Sequence, residues 1–351
     1  QVTHLRAAES RGKGSAHPSI VVGHGTVSAG YRRALRDLAG PCGMLASATA
    51  ARDLGTRSAP SRQRHPDRGR QKGSTDMSAP RLSVVIPSYN NGATIEETVD
   101  SVLAQRGIDF DLIVADHAST DDTWERLQRY RDDPRVTLLT TPGGGGAQRN
   151  WNRVTEAATG DYLKLVCGDD VLRPGALARQ AGILDMGAVL TASRRDVVDA
   201  RGDVLKRGWG LRGLTNRMPG SVAARRAVRA GSNLFGEPAS VMMRRDALAS
   251  TGGWFADFPY LIDQATYTRV LLEGEFIPDP EVGATFRMSA TQWSVALTKA
   301  QAAQARAFHQ WLHDQHPDVL SAADVRVGNL KASVMARARR ASYAVLRRRM
   351  R

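Results

Sequence analysis

The sequence predicts an α/β protein built on one mainly parallel sheet with helices on both faces. Two observations predict it. Apolar runs of strand length alternate with stretches whose apolar residues recur every three or four positions. The loops between them are short, so each helix must cross back over the sheet it left. A third observation places the chemistry. The unusual residues gather in loops that follow strands, and in such sheets ligands bind beyond the carboxyl ends of the strands.

The elements follow in order. Strands are predicted at LSVVIP (82–87), FDLIVAD (110–116), RVTLLT (135–140) and DYLKLVC (161–167). Helices are predicted at TIEETVDSVLAQ (94–105), across 120–130, and at AQRNWNRVTEAA (147–158). Past residue 175 the alternation loosens. GAVLTA (187–192) reads as a strand, and 195–208 as a hairpin-like pair around Arg201-Gly202. A polar, Arg-rich stretch covers 212–231. A strand leading into a helix is predicted at 237–248, a helix closed by a glycine at 262–274, and extended chain at 275–289. Residues 325–351 form a basic amphipathic helix candidate, with Val325, Leu330, Val334, Met335, Tyr343, Val345 and Leu346 as its apolar positions.

A chain of 351 residues accommodates one or two domains. Its net charge of +14 is uneven: residues 1–76 carry 13 basic and 5 acidic side chains, and residues 325–351 carry nine basic and none acidic, which leaves 77–324 at −3. The basic ends lack interleaved aromatics suited to base stacking, so no specific nucleic-acid partner is expected. The tail predicts weak contact with an anionic membrane surface, the alternative being a solvated helix or an unstructured tail. Cys42 and Cys167 are the two cysteines, too few for a disulfide framework, which fits a reducing cytoplasm. No apolar run approaches the roughly 20 residues that span a bilayer, and no apolar signal-peptide core follows the first charges. Met77-Ser-Ala-Pro immediately precedes the first strand, so 1–76 is expected to be an unstructured basic extension, the alternative being a basic binding arm.

Asp169 and Asp170 follow the fourth apolar strand directly. Two adjacent carboxylates against an apolar wall repel and resist ionisation. A hard divalent cation, Mn2+ or Mg2+, relieves that cost and leaves coordination positions for phosphate oxygens. The alternative is a helix N-cap ahead of Arg173-Pro174. Asp116 likewise follows a strand, Tyr89 and Asn90 close the first, and the glycine run 143–146 allows close backbone approach ahead of an anion-favouring helix N-terminus.

SVVIPSYNNGATIEETVDSVLAQ, LIVADHASTDDT, RNWNRVTEAATGDYLKLVCGDD and GEPASVMMRRDAL with IDQATYTRVLLEG occur in that order. Together they resemble the family 2 inverting glycosyltransferases, which have the GT-A fold, over roughly residues 82–295. The resemblance implies a glycosyltransferase domain at 77–295, with a nucleotide-sugar half at about 82–175 and an acceptor half at about 176–295; a helical region with the basic tail is expected separately at 296–351. It also implies work in cell-envelope polysaccharide synthesis, in the cytoplasm or at the inner face of the membrane.

The resemblance further implies roles. Pro87, Ser88 and Tyr89 pack around the nucleotide base. Asp116 and His117 contact the nucleoside. Gln148 and Arg149 lie near the nucleotide. Asp169 faces the ribose and diphosphate, and Asp170 binds the metal. Asp263 is the general base on the acceptor hydroxyl; without the family, a helix N-cap explains it. Arg287 corresponds to a basic position in a flexible loop near the diphosphate. Two departures stand out. The family usually carries a second Asp where His117 stands, and only a neutral imidazole can accept a hydrogen bond from the base, which leaves the base open. Met288 replaces a histidine often found after the arginine, so water is expected to complete the metal shell. The implied activity is transfer from a nucleotide-diphosphate sugar to the hydroxyl of an unspecified acceptor. The alternative is a binding or scaffolding protein on the same fold that has lost turnover.

Overall fold

Leu82–Ser88 forms β1, buried along its whole length. It pairs in parallel with β2 (Phe110–Asp116) and β4 (Tyr162–Leu165), and β2 pairs in parallel with β3 (Val136–Thr140). The other strands are β5 (Val171–Leu172), β6 (Ala188–Val198), β7 (Val204–Trp209), β8 (Met218–Pro219), β9 (Val241–Arg244) and β10 (Glu275–Arg287). The computed structural model describes residues 81–289 and 300–346, all within one unit spanning Ser74–Arg351. The extension 1–76, Cys42 and residues 347–351 lie outside the described residues.

The strands form one sheet in the order β3-β2-β1-β4-β9-β6-β10-β5, with β7 added on β6 and β8 on β10. β9 is antiparallel to both β4 and β6, so it restores the original direction. β6 and β10 are parallel. Strands β1 to β4, β6 and β10 therefore all point the same way, and their carboxyl ends line one edge.

Residue alternation splits the core between the two faces. Val85, Leu163 and Leu165 face one cluster with Trp254, Tyr267 and Phe276, while Val84, Ile86 and Leu112 face another with Val99 and Leu177. Helix α1 (Ile95–Leu103) covers the second face with Ile95, Val99 and Val102, at the i, i+4, i+7 spacing of one helical stripe. The expected helix at 120–130 is shorter: α2 (Thr123–Leu127) passes into a 3₁₀ turn. α3 (Gly146–Glu156), α4 (Ala176–Asp185), α5 (Gly220–Ala230), α6 (Arg245–Ser250) and α7 (Ile262–Leu272) complete the frame. The strand predicted at 187–192 and the first arm of the hairpin are one continuous strand, β6. The Arg-rich stretch 212–231 contains α5, whose Ala223, Ala227 and Val228 are buried.

The two C-terminal helices, α8 (Gln301–Gln315) and α9 (Ala322–Leu346), pack on the second half of the sheet domain. The Phe308 ring lies 5.6 Å from Phe258, and the Gln304 side chain accepts from the Tyr260 backbone N–H at 2.7 Å. Asp324 is buried and pairs with Arg225 and Arg229 of α5. A Cβ at Gly328 would stand 2.5 Å from the Val228 carbonyl oxygen, so glycine permits this close approach of α9 to α5. The buried face of α9 runs through Val325, Gly328, Ala332 and Ala336. The expected apolar positions divide: Val325 is buried, whereas Leu330 (69% exposed) and Val334 (53%) face away, because α5 takes the face of small residues.

Candidate active site at the carboxyl edge of the sheet

The edge begins at the end of β1. Pro87 and Ser88 are buried in the strand, while Tyr89 is 58% exposed. Asn90 takes a left-handed φ of 51°, which asparagine tolerates better than most side chains. Its Oδ1 accepts from the Thr120 N–H at 2.8 Å, and its own N–H donates to the Ser119 hydroxyl at 2.9 Å, tying the loops after β1 and β2 together.

Asp116 ends β2 and is 4% exposed. The Ser119 N–H donates to its Oδ2 at 3.1 Å, and the Ser119 hydroxyl donates to Oδ1. His117 is also buried, and its Nε2 lies 2.9 Å from the Gly144 carbonyl oxygen. A carbonyl only accepts, so Nε2 carries the proton and Nδ1 is the acceptor left on a neutral ring. The Tyr89 and His117 rings meet edge-on, with centroids 6.2 Å apart.

The glycine loop after β3 has left-handed backbone at Gly144, Gly145 and Gly146 (φ 87°, 78° and 64°), a run that side chains with a Cβ resist. Arg149 lies over this loop and donates to the Gly143 carbonyl at 3.1 Å. Gln148 turns the other way: its amide donates to the Trp254 carbonyl at 2.8 Å, joining α3 to the loop ahead of α7. The residue that organises the edge from α3 is Asn150, which the sequence reading missed. It is 3% exposed, donates to the Ala115 and Ser88 carbonyls at 2.9 and 3.3 Å, and accepts from the Thr141 hydroxyl at 2.7 Å. A polar residue four before the buried Val154, on the inward stripe of a helix, was its only signal.

Asp170 is 1% exposed. Its Oδ1 accepts the Arg287 backbone N–H at 3.1 Å, and its Oδ2 is buried with no hydrogen-bond partner among the described residues. Burial, then the neighbouring Asp169 carboxylate, push its pKa well above the usual carboxylate range. The N-cap alternative fails, because α4 begins at Ala176 behind a left-handed Gly175, with β5 in between.

Arg287 is not in a loop. It ends β10, is 7% exposed, and donates to the Asp169 and Ala200 carbonyls at 3.2 and 3.4 Å and to the Glu97 carboxylate at 2.6 Å. A strand neighbour fixes its backbone, so the guanidinium braces the Asp169–Asp170 turn. Met288 follows it, and residues 290–299 lie outside the described residues.

Asp263 sits in the first turn of α7 but does not cap it; Leu261 holds the cap position. Its Oδ1 accepts from the Gln264 N–H at 2.7 Å and its Oδ2 from the Asn233 side-chain amide at 2.9 Å. Asn233 is itself locked, donating to the Gly236 carbonyl at 2.8 Å and accepting from the Phe235 N–H at 3.0 Å. Burial, opposed by the Gln264 N–H and raised further by Glu237, pushes Asp263 up to about 6. The Cys167 thiol lies where burial and the charges of Asp170, Asp169, Asp263 and Glu237 all push its pKa well up. Asp263 and the Asp169–Asp170 turn therefore share one neighbourhood, although about ninety residues separate them in the chain.

The fold defines a class: an α/β protein with the GT-A fold. The family model for glycosyl transferase family 2 matches residues 83–252. An uncharacterized protein of Mycobacterium tuberculosis is 34% identical over 215 residues, covering 58% of this chain and 67% of that protein. A succinoglycan biosynthesis protein of Rhizobium meliloti is 34% identical over 131 residues, covering 36% of each chain. The fold resembles a mannosyltransferase from Pyrobaculum calidifontis in complex with GDP-Man and Mn2+, with a TM-score of 0.53 and 19% identity over 78% of this chain and 79% of that one. Residues 83–252 belong to glycosyl transferase family 2, a family of transferase enzymes. Among the described residues, no helix is long and apolar enough to cross a membrane.

Proposed function

We propose that this chain is an inverting, divalent-metal-dependent glycosyltransferase that moves a sugar from a nucleotide-diphosphate donor to an acceptor hydroxyl, with Asp263 as general base. The observation that carries this reading is the pairing of two differently held carboxylates around Cys167. Asp170 presents a buried oxygen without a partner, while Asp263 is fixed by two hydrogen-bond donors at a pKa of about 6. A carboxylate of that basicity is ionised at neutral pH and still accepts a proton readily.

The residues fit Mn2+ or Mg2+. Among the described residues, no three His, Cys, Asp or Glu side chains gather as a closed cage. Asp170 would hold the ion through Oδ2, with diphosphate oxygens and water filling the remaining positions, as Mg2+ commonly requires. The bound cation supplies charge neutralisation for the leaving diphosphate. The protein's own part is positional. Tyr89, His117 and Asp116 hold the nucleoside, Asp169 faces the ribose, Arg149 and the glycine loop flank the phosphates, and Arg287 keeps the carboxylate turn in place. Asp263 then removes the acceptor proton as its oxygen attacks the anomeric carbon, inverting the configuration in one step. A thermal-shift screen of nucleotide diphosphates with and without Mn2+, followed by transfer assays with the matching sugar nucleotides, tests the reading. Failure of every nucleotide diphosphate to stabilise the protein would sink it.

His117 supports the donor side through Nδ1, the acceptor left on the ring once Nε2–H is committed to Gly144. His117→Ala should therefore weaken nucleotide-diphosphate binding. Equal affinity for the two proteins would return the contact to Asp116 alone.

Helix α9 extends the proposal to the membrane. Leu330 and Val334 are exposed beside Arg326, Lys331 and Arg337 on a chain segment rich in basic residues. We place the enzyme in the cytoplasm, in peripheral contact with the inner face through 325–351, each basic residue near an anionic surface contributing about 1 kcal/mol. Sedimentation with anionic vesicles should exceed that with neutral vesicles, and Leu330→Glu should reduce it. Equal sedimentation with both lipids would leave α9 a solvated helix.

A further inference from the structure

Residues 194–229 carry ten basic and three acidic side chains, whereas 77–324 as a whole is at −3. Part of this charge is internally spent: Arg195 pairs with Glu237, Arg217 with Glu275, and Arg225 and Arg229 with Asp324. Arg201, Lys206 and Arg207 are different. All three lie on the β6–β7 hairpin, all are exposed, and none forms an ion pair among the described residues. Asp196, Asp199 and Asp203 share this hairpin and Arg207 acts on the Asp196 carboxylate, which Arg173 already pairs, so Lys206 and Arg207 keep an attraction for a further anion.

The same hairpin carries Trp209, a large ring 45% exposed. The Lys206 ammonium stands 3.8 Å from its ring centroid, held by the ring's negative face, with donors still free for an anion. The Arg195 guanidinium lies 5.9 Å from the same centroid and donates to the Trp209 carbonyl at 3.3 Å. Arg195 pairs with Glu237, next to Gly236, whose carbonyl takes one proton of the Asn233 amide that also binds Asp263. A chain of contacts through Arg195, Glu237, Gly236 and Asn233 thus connects Trp209 to the proposed base. A ring with an apolar face and adjacent hydrogen-bond donors suits a sugar, and the cations beside it select a charged one.

We propose that the β6–β7 hairpin is the acceptor platform and that it takes a negatively charged saccharide, packed on Trp209 with its carboxylate or phosphate paired to Lys206 and Arg207. The inference rests on the reading of Asp263 as the base on the acceptor hydroxyl. It names the chemical class of the acceptor.

The test titrates the full chain, without donor, with three probes: a uronic-acid tetrasaccharide, its carboxyl-reduced neutral form, and a neutral tetrasaccharide bearing a terminal phosphate monoester. At least one charged probe should bind about tenfold tighter than the neutral one, a difference of about 1.4 kcal/mol. Which charged probe wins separates a carboxylate-bearing from a phosphate-bearing acceptor. The preference should shrink as salt shortens the screening length. It should vanish in Lys206→Glu/Arg207→Glu and in the milder Lys206→Gln/Arg207→Gln, with thermal midpoints confirming that both fold. Trp209→Ala should weaken charged and neutral probes alike. Equal affinity for all three probes, no binding of either charged probe, or a preference that survives both double variants would overturn the inference. Binding only to anionic vesicles, lost in the double variants, would overturn it too and make the hairpin a membrane face. If wild-type protein binds a nucleotide diphosphate but shows no charged-probe preference, this inference falls alone. If it binds no nucleotide diphosphate, the donor reading falls.

Discussion

Asp263→Asn is expected to lower sugar transfer by about 10²–10⁴-fold while nucleotide-diphosphate and Mn2+ binding stay near wild type. Asparagine preserves the shape but cannot take a proton at neutral pH. The direction of the pH dependence is set by the raised pKa. Asp263 is protonated and idle below about pH 6, so wild-type transfer should rise as pH climbs through that value and then level off. The same shift predicts a stability effect. A carboxylate whose folded pKa exceeds its unfolded one stabilises the fold only while protonated, and that contribution is lost as pH rises through about 6. The charge that catalysis needs therefore weighs against the fold at neutral pH, and this part of the wild-type protein's stability should fall as pH rises through about 6. Asn233→Ala separates positioning from proton transfer. Without the amide on Oδ2, the midpoint of the pH–rate profile should move upward, because that hydrogen bond favours the ionised form. Nearly full transfer by Asp263→Asn would make the residue structural and send the search for the base to its neighbour Glu237.

Asp170→Ala is expected to abolish the Mn2+-dependent part of stabilisation by nucleotide diphosphate. A ligand at one hundred times its dissociation constant stabilises a protein by about 2.7 kcal/mol, so the lost increment is large on the scale of a thermal melt. The prediction follows from the one oxygen of Asp170 that is buried and unsatisfied, a cost that an arriving cation removes. Asp170→Asn is the companion variant: it keeps the side-chain volume and the acceptor for the Arg287 N–H while losing the charge. Unchanged metal-dependent stabilisation in both variants would refute the assignment of Asp170. If it disappears only in the alanine protein, packing of the turn rather than charge is responsible.

The sequence by itself determined the parallel frame and the residues at its edge. Strand β1 with its buried run, the helix that follows it, and the carboxylates Asp116 at the end of β2 and Asp170 in the turn after β4 were all legible. Their signals are local: apolar periodicity, turn chemistry, and the rule that a strand's carboxyl end faces the ligand edge. The Asp169–Asp170 doublet, taken alone, favoured an N-cap slightly over a cation site, because both need only a carboxylate after a strand. Tertiary structure removes the N-cap by putting β5 before α4, and it leaves Oδ2 buried without a partner among the described residues. It also decided what pairing alone controls. β9 enters antiparallel between β4 and β6 and returns β6 and β10 to the first direction, which no window of sequence near either strand records. Asn150 joins β1, β2 and the loop after β3, Arg287 reaches back to Glu97 on α1, and Asn233 orients Asp263; each contact spans tens of residues or more. The tail shows the same division. Its helix was visible from spacing, but which face lies buried depended on how closely α5 could approach, and Gly328 with the alanines gave that face to the core. Local sequence sets backbone preference and polarity, whereas the partner of a buried polar group is chosen only when distant segments close around it and water is excluded.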